Sequence, residues 1–261
     1  MGIKRVVLLP DIHHPHHNKE AIKAVFQFIR YFKPHAVNIL GDAMNMDAVN
    51  HWKMAKGAKK YFEGKRLKME YEDFDRDILT PLEKILPEGC EKTYCQGNHE
   101  YWLEGLIEKN PQLEGLVELE TSLRLSDRGW EWIPWIKYDE KTGSYVRGIK
   151  KYGKLLTFHG QYTTKYHAAK TADSYGKSCA YCHTHDLMLY SKVTIDDPED
   201  YHTAQSIGCL CNRSPEFMKG RMNKWINAFG VLYVNEEGNY NLYVPVIING
   251  QFIFNGKVFG G

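Results

Sequence analysis

Two short apolar runs near the start of the chain each end at a polar loop. Ile3 to Pro10, centred on Val6 to Leu9, stops at Asp11, and Ala36 to Leu40 stops at Gly41-Asp42; both read as buried strands. Between them Ile22, Val25, Phe26, Ile29 and Phe32 recur at the spacing of one helical face, with Asn18 placed to cap the helix. A strand–helix–strand unit of this length predicts parallel pairing. Loops 11–17 and 42–47 then emerge at one edge of the sheet, where ligands bind in α/β folds.

From about Asp47 to Gly89 the chain is charged and reads as mostly helical. Leu67, Tyr71, Phe74, Ile78, Leu82 and Ile85 fall at helical spacing, with Pro81 expected to bend the helix. A third strand near Glu91 to Cys95 delivers Gln96-Gly97-Asn98-His99-Glu100, and another helix follows. Beyond Trp130 the pattern becomes strand-rich: Trp130 to Trp135, Lys154 to Phe158, Ser178 to Tyr181, Leu187 to Val193, His202 to Ile207, Phe229 to Val234 and Tyr240 to Ile248. One helix, about Lys165 to Tyr175, interrupts them. No repeat, linker or low-complexity segment divides the chain. The expectation is a single domain over 1–261 carrying a helical, basic insertion at about 47–89.

Composition narrows this only a little. Of 261 residues, 43% are hydrophobic and 25% charged, which is ordinary for a soluble globular protein. A net charge of +2 is too small to declare a nucleic-acid binder, so local patches must carry that case. Six cysteines are too sparse for a disulfide scaffold and suggest reduced thiols. The first apolar run is too short for a signal-peptide core and no stretch approaches a membrane span, so a cytoplasmic protein is expected.

The chemistry sits in five short stretches, each following an expected strand: Asp11-Ile12-His13, Gly41-Asp42, Gly97-Asn98-His99-Glu100, His159-Gly160 and His183-Thr184-His185. Strand ends hold ligands rigidly. Carboxylate, imidazole and amide-oxygen donors together suit Mn, Fe, Zn or Ni better than Ca or Mg.

These blocks resemble the calcineurin-like metallophosphoesterase family, whose pattern is D-x-H, G-D, G-N-H-[DE], a lone His, then G-H-x-H, over roughly Val6 to Asp186. The chain is also similar to compact members encoded by phages and prophages. The resemblance implies a four-layer α/β/β/α fold, two mixed β-sheets flanked by helices. It further implies two divalent transition-metal ions, Mn first, with Fe, Zn or Ni fitting too. Asp11, His13, Asp42 and His185 would hold one metal; Asp42, Asn98, His159 and His183 would hold the other. Asp42 bridges, and a shared hydroxide attacks phosphorus. His99 is the implied catalytic residue, contacting phosphate and protonating the leaving oxygen.

Two positions depart from the pattern. Asn45 stands where the family often has an acid that orients the catalytic His; its amide oxygen is expected to accept from His99, with Asp47 or Glu100 supplying charge, or else His99 acts as a neutral donor. Cys182 replaces the glycine before H-x-H. Cys179-x-x-Cys182 beside the two histidines can also be read as a zinc cluster, but strand alternation puts Cys182 opposite His183. Cys209-x-Cys211 reads as packing. His14, His16 and His17 are expected on an exposed loop, and His35, His51, His167 and His202 at the surface.

Lys53, Lys56, Lys59, Lys60, Lys65, Arg66 and Lys68 interleave with Trp52, Tyr61 and Phe62. That mixture suits a phosphate backbone with stacked bases, and Lys59, Lys60 and Arg66 are its candidate substrate contacts; the competing reading is a solvated helical face. Lys219, Arg221 and Lys224 beside Trp225 form a second patch. The function expected first is a phosphodiesterase or nuclease acting on DNA, RNA or nucleotides. A phosphomonoesterase and a non-catalytic metal-binding scaffold are the alternatives. No obligate protein partner and no membrane contact are expected.

Overall fold

The computed structural model describes residues 2–193, 195, 201–215 and 218–261. The first strand, β1 (Lys4–Leu9), leads into helix α1 (Lys19–Phe32) and strand β2 (Ala36–Ile39). Helix α1 begins at Asn18, whose side chain accepts from the Ala21 N–H, and ends at Lys33 in left-handed conformation. After the short helices α2 (His51–Ala55), α3 (Leu67–Phe74) and α4 (Thr80–Glu83) come strand β3 (Glu91–Cys95), helices α5 (Asn98–Lys109) and α6 (Leu119–Ser122), and strand β4 (Trp130–Ile133). β5 (Ile136–Asp139) and β6 (Ser144–Arg147) form a hairpin, followed by β7 (Lys150–Tyr152), β8 (Leu155–Phe158), α7 (His167–Tyr175), β9 (Cys179–Tyr181), β10 (Leu187–Lys192) and β11 (His202–Ile207). β12 (Gly230–Val234), β13 (Tyr240–Tyr243), β14 (Phe252–Phe254) and β15 (Lys257–Phe259) complete the chain.

Two mixed sheets result. The first has the order β13-β12-β1-β2-β3-β4, with β1 through β4 parallel and β12 and β13 antiparallel. The second has the order β10-β11-β9-β8-β7, with β8, β9 and β11 parallel. Alternation along β1 shows how they stack. Val6 and Leu8 join Leu155, Ala180 and Ile207 in a core between the sheets, while Val7 and Leu9 join Val25, Phe28 and Ile29 of α1 on the outer face. Phe74, Ile78, Leu82 and Leu103 extend that outer layer. On the far side, Phe158, Cys179 and Tyr181 pack against Ala172 of α7. Helices, sheet, sheet and helix therefore form the four expected layers.

Several local expectations change. Residues 47–66 hold one five-residue helix, α2, and short 3₁₀ turns rather than continuous helix. The turn Asp75–Leu79 between α3 and α4 is a π-helix, and it comes just ahead of Pro81. Pro81 lacks the N–H that an α-helical ladder needs, and a widened turn accommodates that loss. The strand expected to run from Tyr240 to Ile248 stops at Tyr243, and the β5–β6 and β14–β15 hairpins carry no alternation long enough to have been read.

Candidate metal centre

The carboxyl ends of β1, β2, β3, β8 and β9 converge, and the five stretches meet there. Their backbones are unusual: Asp11, His13, Asp42, His183 and His185 all have positive φ, between 39° and 78°. Side-chain-bearing residues avoid this region, and its use at one place marks a site whose surroundings over-determine it. Glycines make the approach possible. A Cβ on Gly97 would lie 2.2 Å from the Asp42 backbone nitrogen, and one on Gly41 2.7 Å from Gly97. The G-D and G-N-H loops pack backbone against backbone, which no larger residue allows.

The side chains point their nitrogens and oxygens at one another. His13 Nδ1 donates to Asn45 Oδ1 at 3.0 Å, so its Nε2 carries a lone pair. That nitrogen lies 3.1 Å from His185 Nε2 and 3.8 Å from Asp11 Oδ1. Asp11 Oδ2 accepts from the His183 N–H, whereas Oδ1 is buried with no hydrogen-bond partner. Nearby, His159 Nδ1 donates to the Leu40 carbonyl at 3.0 Å, turning Nε2 toward Asn98 Oδ1 at 3.0 Å and Asp42 Oδ2 at 3.3 Å. Asp42 Oδ1 accepts from the His99 N–H, and its Oδ2 is 3.7 Å from His13 Nε2. Asp11, His13 and His185 thus form one cluster that offers ligand atoms within 4.8 Å of each other; Asp42, His159 and His183 form another. Convergent donors around an orphaned carboxylate oxygen fit cations.

Electrostatics agree. Burial alone would raise the Asp11 carboxyl, but His185, His13 and His159 outweigh it and hold the group far below the carboxylate range. Asp42 is likewise held low against burial by His159 and His99. Burial would lower His159, yet Asp42 and then Asp11 raise it to about 9. His183 is pushed down to about 4 by burial and by His159.

The chain belongs to the calcineurin-like phosphoesterase family. The family's sequence profile matches residues 4–234. Among curated proteins, the Gene 54 protein of Mycobacterium phage L5 is 25% identical over 271 residues, covering 98% of this chain and 98% of that one. The Gene 54 protein of Mycobacterium phage D29 is 24% identical, with the same coverage. Solved structures it resembles include wild-type Vps29 complexed with Zn+2 from Entamoeba histolytica, with TM-score 0.44 and 12% identity over 95% of this chain and 96% of that one. Nuclease MPE of Pseudomonas putida has TM-score 0.34 and 12% identity over 87% and 84%.

The surroundings of the centre depart from the sequence reading in several places. Asn45 orients His13; His99 Nδ1 donates instead to the Asn45 backbone carbonyl at 2.9 Å. The neutral His99 ring has its one proton on Nδ1, so donation from Nε2 needs the doubly protonated ring, and burial lowers its pKa. A neutral-donor role at Nε2 therefore does not fit. Asp47 accepts from Asn45 at 2.6 Å, from Tyr61 at 2.5 Å and from His16 at 3.0 Å. Glu100 does not touch the His99 ring: its buried carboxylate accepts from the N–H groups of Asp42, Ala43, Met44 and Gly97 and from the Tyr94 hydroxyl.

His14 is buried and pairs with Asp77 at 3.2 Å while its ring stacks on His17, so the expected exposed loop is instead packed. His167 is fully buried between the Tyr181 hydroxyl and Asp186, not at the surface. Cys182 lies in the inter-sheet core, 3.3 Å from His159 Nδ1, while Cys179 packs beneath α7. Cys211 Sγ is 3.6 Å from His185 Nδ1, a contact the sequence did not signal. All six cysteines are free thiols. Of the basic segment, Lys59, Lys60 and Arg66 are exposed, whereas Lys65 reaches Asp47 at 3.6 Å and sits over the Tyr61 ring.

Proposed function

We propose that this chain is a dinuclear-metal phosphodiesterase acting on nucleic acid or nucleotides. Asp11, His13, Asp42 and His185 would hold one divalent cation; Asp42, Asn98, His159 and His183 would hold the second. The observation that carries this reading is Asp42 Oδ2, which faces both His13 Nε2 of the first cluster and His159 Nε2 of its own. Two such cations would polarise the phosphoryl oxygens and lower the pKa of a water nucleophile. The chain's own part is to fix the donors. Glu100 clamps the Asp42 loop, Leu40 sets the His159 tautomer, and Asn45 sets that of His13.

His99 is placed to meet the substrate rather than a metal. Its Nε2 is 3.9 Å from Asp42 Oδ2, and its ring stacks on Trp102 at 4.0 Å between centroids with the planes 30° apart. In the protonated state it delivers a proton to the leaving oxygen. Lys65 and Tyr61 extend a polar path outward from Asn45 through Asp47, which favours a substrate that continues beyond the reacting phosphate.

Protein loaded with Mn should hydrolyse bis-p-nitrophenyl phosphate faster than p-nitrophenyl phosphate. The reverse ranking would make it a phosphomonoesterase. Asp42→Ala should lose both bound metals and turnover of either substrate; surviving activity would refute the ligand assignment.

A further inference from the structure

Three indoles lie against imidazoles of the candidate centre: Trp102 on His99, Trp135 near His159 and His183, and Trp225 near His185. The chain has six tryptophans, so half of them gather at one site. Trp102 also packs against the outer core through α5, which makes it a support for His99. Trp135 and Trp225 differ. Neither belongs to a core cluster, both remain partly exposed, and they flank the centre. Trp225 stands on the His185 side, 4.4 Å between centroids, and Trp135 on the His159 side, at 5.2 Å.

Each has a cation beside it. The Arg147 guanidinium lies over the Trp135 ring at 4.5 Å, and its Nη1 is buried with no hydrogen-bond partner. Nη1 is closed off from solvent, but the side chain as a whole is only half-buried, so an anion would meet the guanidinium through its remaining donors. Lys224 precedes Trp225 and reaches Asp186 at 2.8 Å, with most of its side chain exposed. The Trp135 position is fixed from below. Its backbone N–H donates to Gln96 Oε1 at 2.9 Å, and the β5–β6 hairpin that starts next to it carries Tyr138 and Tyr145 outward, 55% and 76% exposed.

We propose that Trp135 and Trp225 are base-stacking platforms on either side of the metal centre, that Arg147 takes a phosphate of the same strand, and that the substrate is therefore an unpaired nucleic-acid strand. The inference rests on the phosphodiesterase reading above and names its substrate class. Indole faces need free base faces, which a duplex keeps stacked on its own neighbours. A small phosphate ester would not use aromatic surfaces on both sides of the reacting phosphate. Arg147 and Lys224 supply the backbone attraction that stacking alone lacks.

The test uses the full chain stripped of metal with EDTA and a short fluorescein-labelled oligothymidylate. Binding is followed by anisotropy and by quenching of tryptophan emission, against an abasic oligomer of equal length and a duplex. The thymidylate should quench emission and bind at least tenfold tighter than either comparator. Trp135→Ala and Trp225→Ala should each raise its Kd by roughly tenfold to a hundredfold. Trp135→Phe should recover most of the loss, and Arg147→Gln should weaken the abasic oligomer as well. If the abasic oligomer binds as tightly as the thymidylate, or duplex binds best, the stacking proposal is overturned. Should the alanine variants fail to fold, the wild-type comparison decides alone. A wild-type protein that hydrolyses diesters but ignores the bases sinks only this proposal. One that prefers the thymidylate yet hydrolyses no diester with any metal sinks only the phosphodiesterase reading.

Discussion

Asn45 holds His13: the amide oxygen accepts from Nδ1 at 3.0 Å, and the amide nitrogen is in turn tied to Asp47 at 2.6 Å. This chain fixes which nitrogen of His13 faces the centre. Partners of this kind typically alter metal affinity by about 10–100-fold when removed. Asn45→Ala should therefore weaken binding of the first metal within that range, read by competition with a chelator of known affinity. Asn45→Asp keeps the acceptor for His13 but sets a carboxylate oxygen against Asp47 where the amide donated, so it should recover only part of the loss. Equal affinity in the wild type and Asn45→Ala would remove Asn45 from the support of the site.

Glu100 gathers five donors on one buried carboxylate, from Asp42, Ala43, Met44, Gly97 and Tyr94. Because every partner donates, an acceptor-only group is required. Glu100→Gln turns an NH₂ toward some of them and should cost on the order of 3 kcal/mol in urea denaturation. A loss below about 1 kcal/mol would mean that the loop stands without the clamp.

Glycines 97 and 105 make a matched pair. A methyl on Gly97 would fall 2.2 Å from Asp42, while one on Gly105, exposed in α5, meets nothing within 4 Å. Gly97→Ala should displace the Asp42 loop and lose metal, at a cost beyond the ~1–3 kcal/mol of ordinary overpacking. Gly105→Ala should stabilise by roughly 0.5–1 kcal/mol through helix propensity. Thermal melts of both variants, with metal content by atomic emission, check the contrast.

His99→Ala tests the division between metal ligands and proton donor. Both metals should remain, with turnover of substrates bearing poor leaving groups reduced by about 10²–10⁴-fold. The His99 ring nitrogen also lies within 4.8 Å of ligand atoms of His13 and Asp42. Loss of one metal equivalent from the variant would place it among the ligands.

Strand ends and their motifs were legible because each is local: an apolar run of four or five residues, then a fixed polar signature. Parallel pairing followed from the connection length, and the four layers from the family resemblance. What escaped depends on contacts between distant residues. The Asn45 side chain turns to His13 while its backbone carbonyl takes His99 Nδ1, a matter of backbone geometry with no trace in composition. His14 and His167 read as exposed because single histidines carry no periodic signal; the structure buries them against Asp77 and Asp186. Trp135 and Trp225 lie 90 positions apart in sequence, and only the fold brings them to one centre.

Glu70 gives the fold a pH dependence separate from the metals. Its side chain accepts from the Ala48 N–H at 2.7 Å, yet burial and the nearby Asp47 charge raise its pKa to about 7. The unfolded value is near 4.5. Between these pH values the folded chain binds a proton that the unfolded chain has released, so this group's contribution to stability is full below pH 4.5 and falls as pH rises to 7. Denaturant midpoints of the metal-free protein, measured at steps across that window, should decline more steeply for the wild type than for Glu70→Gln, which cannot ionise. Parallel curves for the two proteins would show that Glu70 keeps an ordinary pKa in the folded chain.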